Sequence, residues 1–114
     1  MLKQSNRLLK KKDFDAVWKK GRSSYDKLIG VKVLANGLKN SRFGIMVGLK
    51  VSKKAVERNT VKRRIREIIQ AETENIDSGL DVVINTLPAV NGQSYDVLRE
   101  SVLGQFKRLK VITK

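Results

Sequence analysis

Arg58, Lys62 and Arg66 recur at every fourth position in the stretch "ERNTVKRRIRE", and Asn59 and Arg63 stand one residue beyond two of them. At about 100° per residue, this spacing puts five donors on neighbouring lines of one helix face. Guanidinium groups pair bidentately with phosphate, and an asparagine amide can bond backbone oxygens or a metal-bound water. Cations stacked at i,i+4 repel by roughly a few tenths of a kcal/mol per pair, a cost that solvated helices avoid by interspersing glutamates. Here Glu57 and Glu67 stand only at the ends of the stretch. A site for a polyanion fits this pattern better than a merely solvated face. Arg64 points away from the stripe and reads as ordinary surface.

The composition points the same way. The chain has 25 Lys and Arg against 11 acids, a formal charge of +14. Such an excess strains a compact state by self-repulsion, which a polyanion relieves. Nucleic acid is the first candidate, because neutralising phosphates releases condensed counterions. An anionic membrane comes second, since the basic residues sit inside a globular pattern and not on a detachable amphipathic tail. With no histidine and no cysteine, the usual general base and the usual thiol nucleophile are missing, as are disulfides and thiolate metal sites. No paired-carboxylate spacing stands out, so catalysis by the chain's own side chains is not expected. No apolar run approaches the ~18–20 residues of a membrane span. The start, "MLKQSNRLLKKKDF", does not read as a secretory signal, which makes the cytoplasm the expected location.

The elements that must position the stripe follow from periodicity. With 114 residues and 40% hydrophobic content, residues 1–114 are expected to form one domain around one core. Residues 1–12 are basic and expected to be poorly ordered at the tip, with 1–10 a flexible arm. "DFDAVWKKG" predicts a helix from about Asp13 to Lys20, with Phe14, Val17 and Trp18 on one face and Gly21 at its end. Leu28–Ala35 reads as a strand, "NGLKNS" as a turn, and Arg42–Leu49 as the next strand, antiparallel to the first. Val61, Ile65, Ile68 and Ile69 form the apolar stripe of the basic helix. A third strand centres on Leu80–Ile84. A last helix buries Leu98, Val102, Phe106 and Leu109, with Ser94 as N-cap. The order α-β-β-α-β-α describes an α+β domain, a small mixed sheet packed by helices.

"AVERNTVKRRIRE", Ala55–Glu67, resembles the arginine-rich signature of the bacterial ribonuclease P protein subunit, which runs roughly A-V-x-R-N-x-x-K-R-x-x-R-E. "LLKKKDFDAVWKKG" resembles that family's first helix, with aromatics four apart, and "RFGIMVGLKVSKK" resembles its strand and basic loop. The likeness extends from about Asn6 to Phe106. It implies the fold of the second domain of a small-subunit ribosomal protein, with a left-handed β-α-β crossover against the usual hand. It also implies a ribonucleoprotein that removes the 5′ leader of precursor tRNA, its catalytic centre being RNA with bound Mg2+. On this resemblance Arg58, Asn59, Lys62, Arg63 and Arg66 contact the catalytic RNA, extended by Lys53 and Lys54. Phe14, Trp18, Lys50 and Lys32 line the leader cleft. No membrane and no obligate protein partner is implied.

Aromatic platforms suit single strands, at about 1–3 kcal/mol per stacked base whatever the sequence. Phe14 and Trp18 could equally be core residues, and Lys50, Lys53 and Lys54 could be plain surface. Three departures from the family pattern stand out: Thr60 after Arg-Asn, "GLK" at 48–50 in place of Ser-Lys-Lys, and Lys32 where an aromatic often lines the cleft. Two other readings compete. One is a ribosomal or general structural RNA-binding protein of the same fold. The other is a self-contained nuclease, which would need a carboxylate cluster including an acid such as Asp81.

Overall fold

Alternation along Ile29–Ala35 buries Ile29, Val31 and Val33 on one side of a strand and leaves Gly30, Lys32 and Leu34 half-covered on the other. This two-sided pattern organises the whole molecule. The computed structural model describes residues 6–112. Within them lie helix α1 (Lys11–Lys20), strands β1 (Arg22–Tyr25), β2 (Ile29–Ala35) and β3 (Arg42–Met46), helix α2 (Ala55–Ala71), strand β4 (Leu80–Thr86) and helix α3 (Tyr95–Arg108). The sheet order is β1-β2-β4-β3, with β4 antiparallel to β2 and parallel to β3. This is the expected α+β architecture.

The second and third strands do run in opposite directions, but they are not neighbours. β4 lies between them, because Val82, Val83 and Ile84 form a run apolar on both faces that belongs in the middle of a sheet. β3 stops at Met46 and does not reach Leu49. Its partner β4 ends at Thr86, whose hydroxyl donates to the Met46 carbonyl at 2.7 Å and closes the ladder. A further edge strand, β1, pairs with β2 where no strand was expected. Its sequence RSSY has no apolar alternation, and the one buried residue, Ser24, is held by Arg108 at 3.0 Å.

The two faces of the sheet carry unequal cores. On one, α2 contributes Val61, Ile65, Ile68 and Ile69, and α3 contributes Leu98, Val102 and Phe106, packed over Val31, Val33, Phe43 and Ile84. Both apolar stripes lie as their periodicity predicts, and Ser94 caps α3 by accepting the Val97 N–H at 3.3 Å. On the other face, α1 buries only Val17, against Leu8 and Val83, with Phe14 and Leu34 partly covered. Within the basic arm expected to be flexible, Asn6 and Leu8 lie against the sheet. Leu8 is buried, its N–H donates to the Phe43 carbonyl at 2.9 Å, and the Asn6 amide donates to the Ser41 carbonyl at 2.8 Å. Leu8 supplies the apolar side chain that seals the small core, and this outweighs the charge around it. Residues 1–5 of that arm lie outside the described residues.

Two glycines set how closely α1 approaches. A methyl on Gly21 would meet the carbonyl oxygens of Val17 and Val33, backbone atoms that cannot yield. A methyl on Gly44 would overlap the Phe14 ring. Gly44→Ala is therefore expected to lower stability by about 2 kcal/mol through overpacking and to displace Phe14. Chemical denaturation together with the aromatic NMR shifts of Phe14 measures both effects.

Between β1 and β2, burial opposes ionisation of Asp26, but hydrogen bonds from Ser101 and from the Ile29 and Leu28 N–H groups prevail and hold its pKa below the ordinary 3.8. A carboxylate with a depressed folded-state pKa adds stability above its unfolded value, and that stability disappears as pH falls through the folded one. Asp26→Asn should accordingly lose less stability than the parent chain between pH 5 and pH 2, read from acid-unfolding curves.

Candidate nucleic-acid interface

The basic helix is fixed before it can present anything. Val61 and Ile65 anchor it to the sheet, and Ser52 organises its start. The Ser52 hydroxyl accepts the Lys54 N–H at 3.0 Å and donates to Glu57 at 2.6 Å, while the Ser52 carbonyl accepts from Arg58 Nη1 at 2.9 Å. Hydrogen bonds from Ser52 first, and from Asn91 second, hold the Glu57 pKa below its usual range. Glu57 is thus committed to the loop and does not neutralise the stripe.

Along the stripe, Asn59 and Arg63 are exposed and Arg58, Lys62 and Arg66 are half-exposed. Arg63 pairs with Glu67 at 3.8 Å across open solvent, an interaction worth little. Asn59, Lys62 and Arg66 have no side-chain partner among the described residues. The helix therefore offers Asn59, Lys62 and Arg66 without partners among the described residues, beside a lightly held Arg63 and an Arg58 that also binds the Ser52 carbonyl. Lys50, Lys53 and Lys54 are exposed in the loop leading into it.

Arg64 departs from the surface reading. Its guanidinium reaches the Gln93 carbonyl at 2.8 Å and ties α2 to the segment entering α3. Thr60, the residue that departs from the family pattern, turns its hydroxyl inward to the Val56 carbonyl at 2.9 Å.

The thinly covered sheet face holds the aromatics. Phe14 packs over Gly44 and is half-buried, whereas Trp18 is 49% exposed. Trp18 separates two open clefts. One, of about 540 Å³, is lined by Leu9, Lys11, Phe14, Asp15 and Met46. The other, of about 270 Å³, is lined by Ser23, Tyr25, Gly30, Lys32 and Asn85. Lys32 sits against Trp18 itself. Its ammonium lies 4.3 Å from the ring centroid and donates to the Trp18 carbonyl at 2.8 Å. Of the four residues expected to line a leader cleft, the fold brings Phe14, Trp18 and Lys32 together. Lys50 lines neither cleft and belongs with the basic loop. Leu9, Tyr25, Met46 and Asn85 line the clefts without having been anticipated. Tyr25 and Met46 come onto the same face of the sheet only through a strand register that no local pattern encodes.

The nearest approach to an acid cluster is neutralised by arginine, with Asp13 and Asp81 both on Arg42. Asp81 accepts from Arg42 Nε at 2.8 Å, from Arg42 Nη2 at 2.7 Å and from the Asn36 amide at 2.8 Å. Among the described residues no three acids gather in a metal-binding group. No helix among them is long and apolar enough to cross a membrane.

Known proteins are similar in sequence and in fold. The Ribonuclease P family model matches residues 2–110. The ribonuclease P protein component of Brevibacillus brevis is 38% identical over 112 residues, covering 96% of this chain and 86% of that one. The RNase P protein structure from Staphylococcus aureus superposes with a TM-score of 0.87 at 28% identity, covering 95% and 98% of the two chains. That from Thermotoga maritima superposes with a TM-score of 0.79 at 31% identity over 95% and 98%. Sequence signature, element order and sheet order thus agree, and the chain belongs to the ribonuclease P protein family.

Proposed function

We propose that this chain is the RNA-binding protein subunit of a cytoplasmic ribonuclease P, and that it holds the catalytic RNA on its basic helix and the 5′ leader of precursor tRNA in the clefts beside Trp18. The observation that carries this reading is the presence of two surfaces on opposite sides of one sheet. One is the unengaged Asn59, Lys62 and Arg66 set. The other is an exposed tryptophan between two apolar clefts in a chain of charge +14.

The division of labour follows from the side chains. Lys62 and Arg66, with Arg58 and Arg63 at the flanks, suit phosphates of a folded RNA, and Asn59 adds a neutral donor and acceptor. Phe14 and Trp18 offer faces for unpaired bases, and Lys11 and Lys32 lie at the cleft walls where a backbone would pass. Nothing in this set abstracts a proton or attacks phosphorus. The Mg2+ implied by the family does not fit these residues as ligands, because Mg2+ takes hard oxygen donors and the stripe is cationic. It falls to the RNA. The protein's contribution is positioning, by binding both RNAs at once and raising the share of precursor in the cleavage-competent complex.

Reconstitution with the RNA subunit from the same genome tests this. The protein should increase cleavage at low magnesium and should favour substrate carrying a leader over mature tRNA by about tenfold, the worth of one or two stacked bases. Equal binding of precursor and mature tRNA would reduce the chain to a general RNA-binding protein.

A further inference from the structure

We propose that Glu57 is a positioning and specificity-determining residue of the basic interface. Through the Ser52 hydroxyl and the Asn91 amide it holds the entering loop and the Arg58 guanidinium in one arrangement, which a folded RNA can match and a flexible polyanion cannot exploit. This inference rests on the reading of the α2 face as the site of the catalytic RNA.

Affinity alone does not account for an acid at this position. Between Asp26 and Glu67 the chain has a single acid, Glu57, and it stands in the first turn of α2 beside Lys54 and Arg58. A carboxylate there repels every phosphate that these cations attract. Helix starts do favour acids, which complement the dipole and at the third position commonly bond the N–H of the capping residue. Here that N–H is already taken. The capping residue, Lys54, makes no side-chain cap, and its N–H donates to the Ser52 hydroxyl at 3.0 Å. The same hydroxyl donates to Glu57 at 2.6 Å, so Ser52 relays between the carboxylate and the helix start.

The relay reaches further than a cap. The Ser52 carbonyl accepts from Arg58 Nη1 at 2.9 Å, so fixing Ser52 also fixes the direction in which Arg58 leaves the helix. Val51, the preceding residue, is buried in the main core. Glu57 Oε1 accepts in addition from Asn91 Nδ2 at 3.3 Å, 34 residues along the chain. With Arg64 on the Gln93 carbonyl, the segment before α3 is fastened to α2 at two points. The carboxylate thus has a support outside its own loop.

Such preorganisation favours a rigid partner. Immobilising one long side chain on binding costs about two- to tenfold in affinity. A folded RNA, with phosphates at fixed positions, avoids that factor where Arg58 and the backbone at Lys54 are already ordered. A flexible polyanion adapts to whatever cations it meets and gains from charge alone. Glu57 therefore lowers affinity for polyanions in general and raises selectivity for one shape.

The test compares affinities of the full chain for the ribonuclease P RNA of the same genome and for long-chain inorganic polyphosphate, which has no bases to stack beside Trp18, at one salt concentration. Glu57→Gln keeps an acceptor and removes the charge. It should strengthen both about equally and keep their ratio within about twofold. Ser52→Ala cuts the relay and keeps the charge. It should weaken the ribonuclease P RNA about tenfold and leave polyphosphate unchanged. Glu57→Ala should strengthen polyphosphate and lower the ratio by about tenfold or more. In the free protein, Ser52→Ala and Glu57→Ala should both release the Arg58 guanidinium, seen as faster 15N relaxation-detected motion at its Nε. A purely structural role would lower the unfolding midpoint and keep the ratio in place. If replacing Lys62 and Arg66 leaves binding of the ribonuclease P RNA intact, the RNA does not lie on this face, and the underlying reading fails together with the role of Glu57. If that replacement weakens binding while Ser52→Ala and Glu57→Ala keep the parent ratio, the role of Glu57 alone is overturned.

Discussion

Replacing Lys62 and Arg66 together with alanine is expected to lower affinity for the ribonuclease P RNA about a hundredfold. A hydrogen bond to a charged group contributes about 1.5 kcal/mol or more, so removing two phosphate ligands amounts to roughly 3 kcal/mol. The salt dependence should change as well. Each phosphate left without its cation reduces the slope of log affinity against log salt by about one, so the double variant should shed about two. Stability should hardly move, because neither residue has a partner among the described residues and removing stacked cations relieves repulsion. Equilibrium binding across a salt series, with the unfolding midpoint as control, measures all three. Arg64→Ala supplies the contrast. It should leave the salt slope in place and reduce stability instead, since that guanidinium is spent on the Gln93 carbonyl. An unchanged slope in the double variant would place the RNA elsewhere on the protein.

The largest stability effect should come from Arg42→Met. Arg42 donates through Nε and Nη2 to both oxygens of Asp81 and through Nη1 to Asp13 at 3.3 Å. Its pKa is raised, chiefly by the Asp81 hydrogen bond, so its contribution is complete below the unfolded value and is lost only at extreme alkaline pH. Asp81 is 5% exposed in the central strand. Removing its partner leaves a buried carboxylate with only the Asn36 amide, at a cost of about 3–5 kcal/mol. That is a large fraction of the roughly 5–15 kcal/mol that holds a domain of this kind folded. The double variant Arg42→Met with Asp81→Leu should recover most of the loss, since no uncompensated charge remains. Denaturant unfolding of the parent, the singles and the double closes the cycle. Without the tie to Asp13, α1 should also loosen, visible as reduced hydrogen-exchange protection around Phe14 and Trp18.

The helices were legible because their period is local. Val61, Ile65, Ile68 and Ile69 identify the buried side of α2 from spacing alone, and the same spacing leaves Asn59, Lys62 and Arg66 facing out. The resemblance supplied the aromatics of α1, and the fold settles their double character, with Phe14 half-packed on Gly44 and Trp18 open. What stayed hidden depends on partners distant in sequence. RSSY is a strand only because β2 offers it an edge, and Ser24 is buried only because Arg108 reaches it. Leu8 lay unnoticed among basic residues because its partners, Val17 and Val83, come from two other elements. Arg64 looked like surface because helical spacing gives a direction, whereas its role depends on the reach of a long side chain. That Tyr25, Gly30, Asn85 and Met46 stand in one row across the four strands depends on the register of three strand pairs at once.

The place of β4 has a consequence for how the molecule is made. β2 and β3 follow each other in the chain, yet neither can pair with the other in the native sheet, so the turn at "NGLKNS" closes no hairpin. Their shared partner is synthesised only after the whole of α2. On the ribosome, therefore, the basic helix emerges while two strand edges still wait for Leu80–Thr86, and sheet completion is a non-local event late in synthesis. Throughout that interval the nascent chain presents unpaired edges, which promote association between copies, beside a dense positive charge, which opposes it. The charge that suits the finished protein to RNA also keeps its unfinished copies apart.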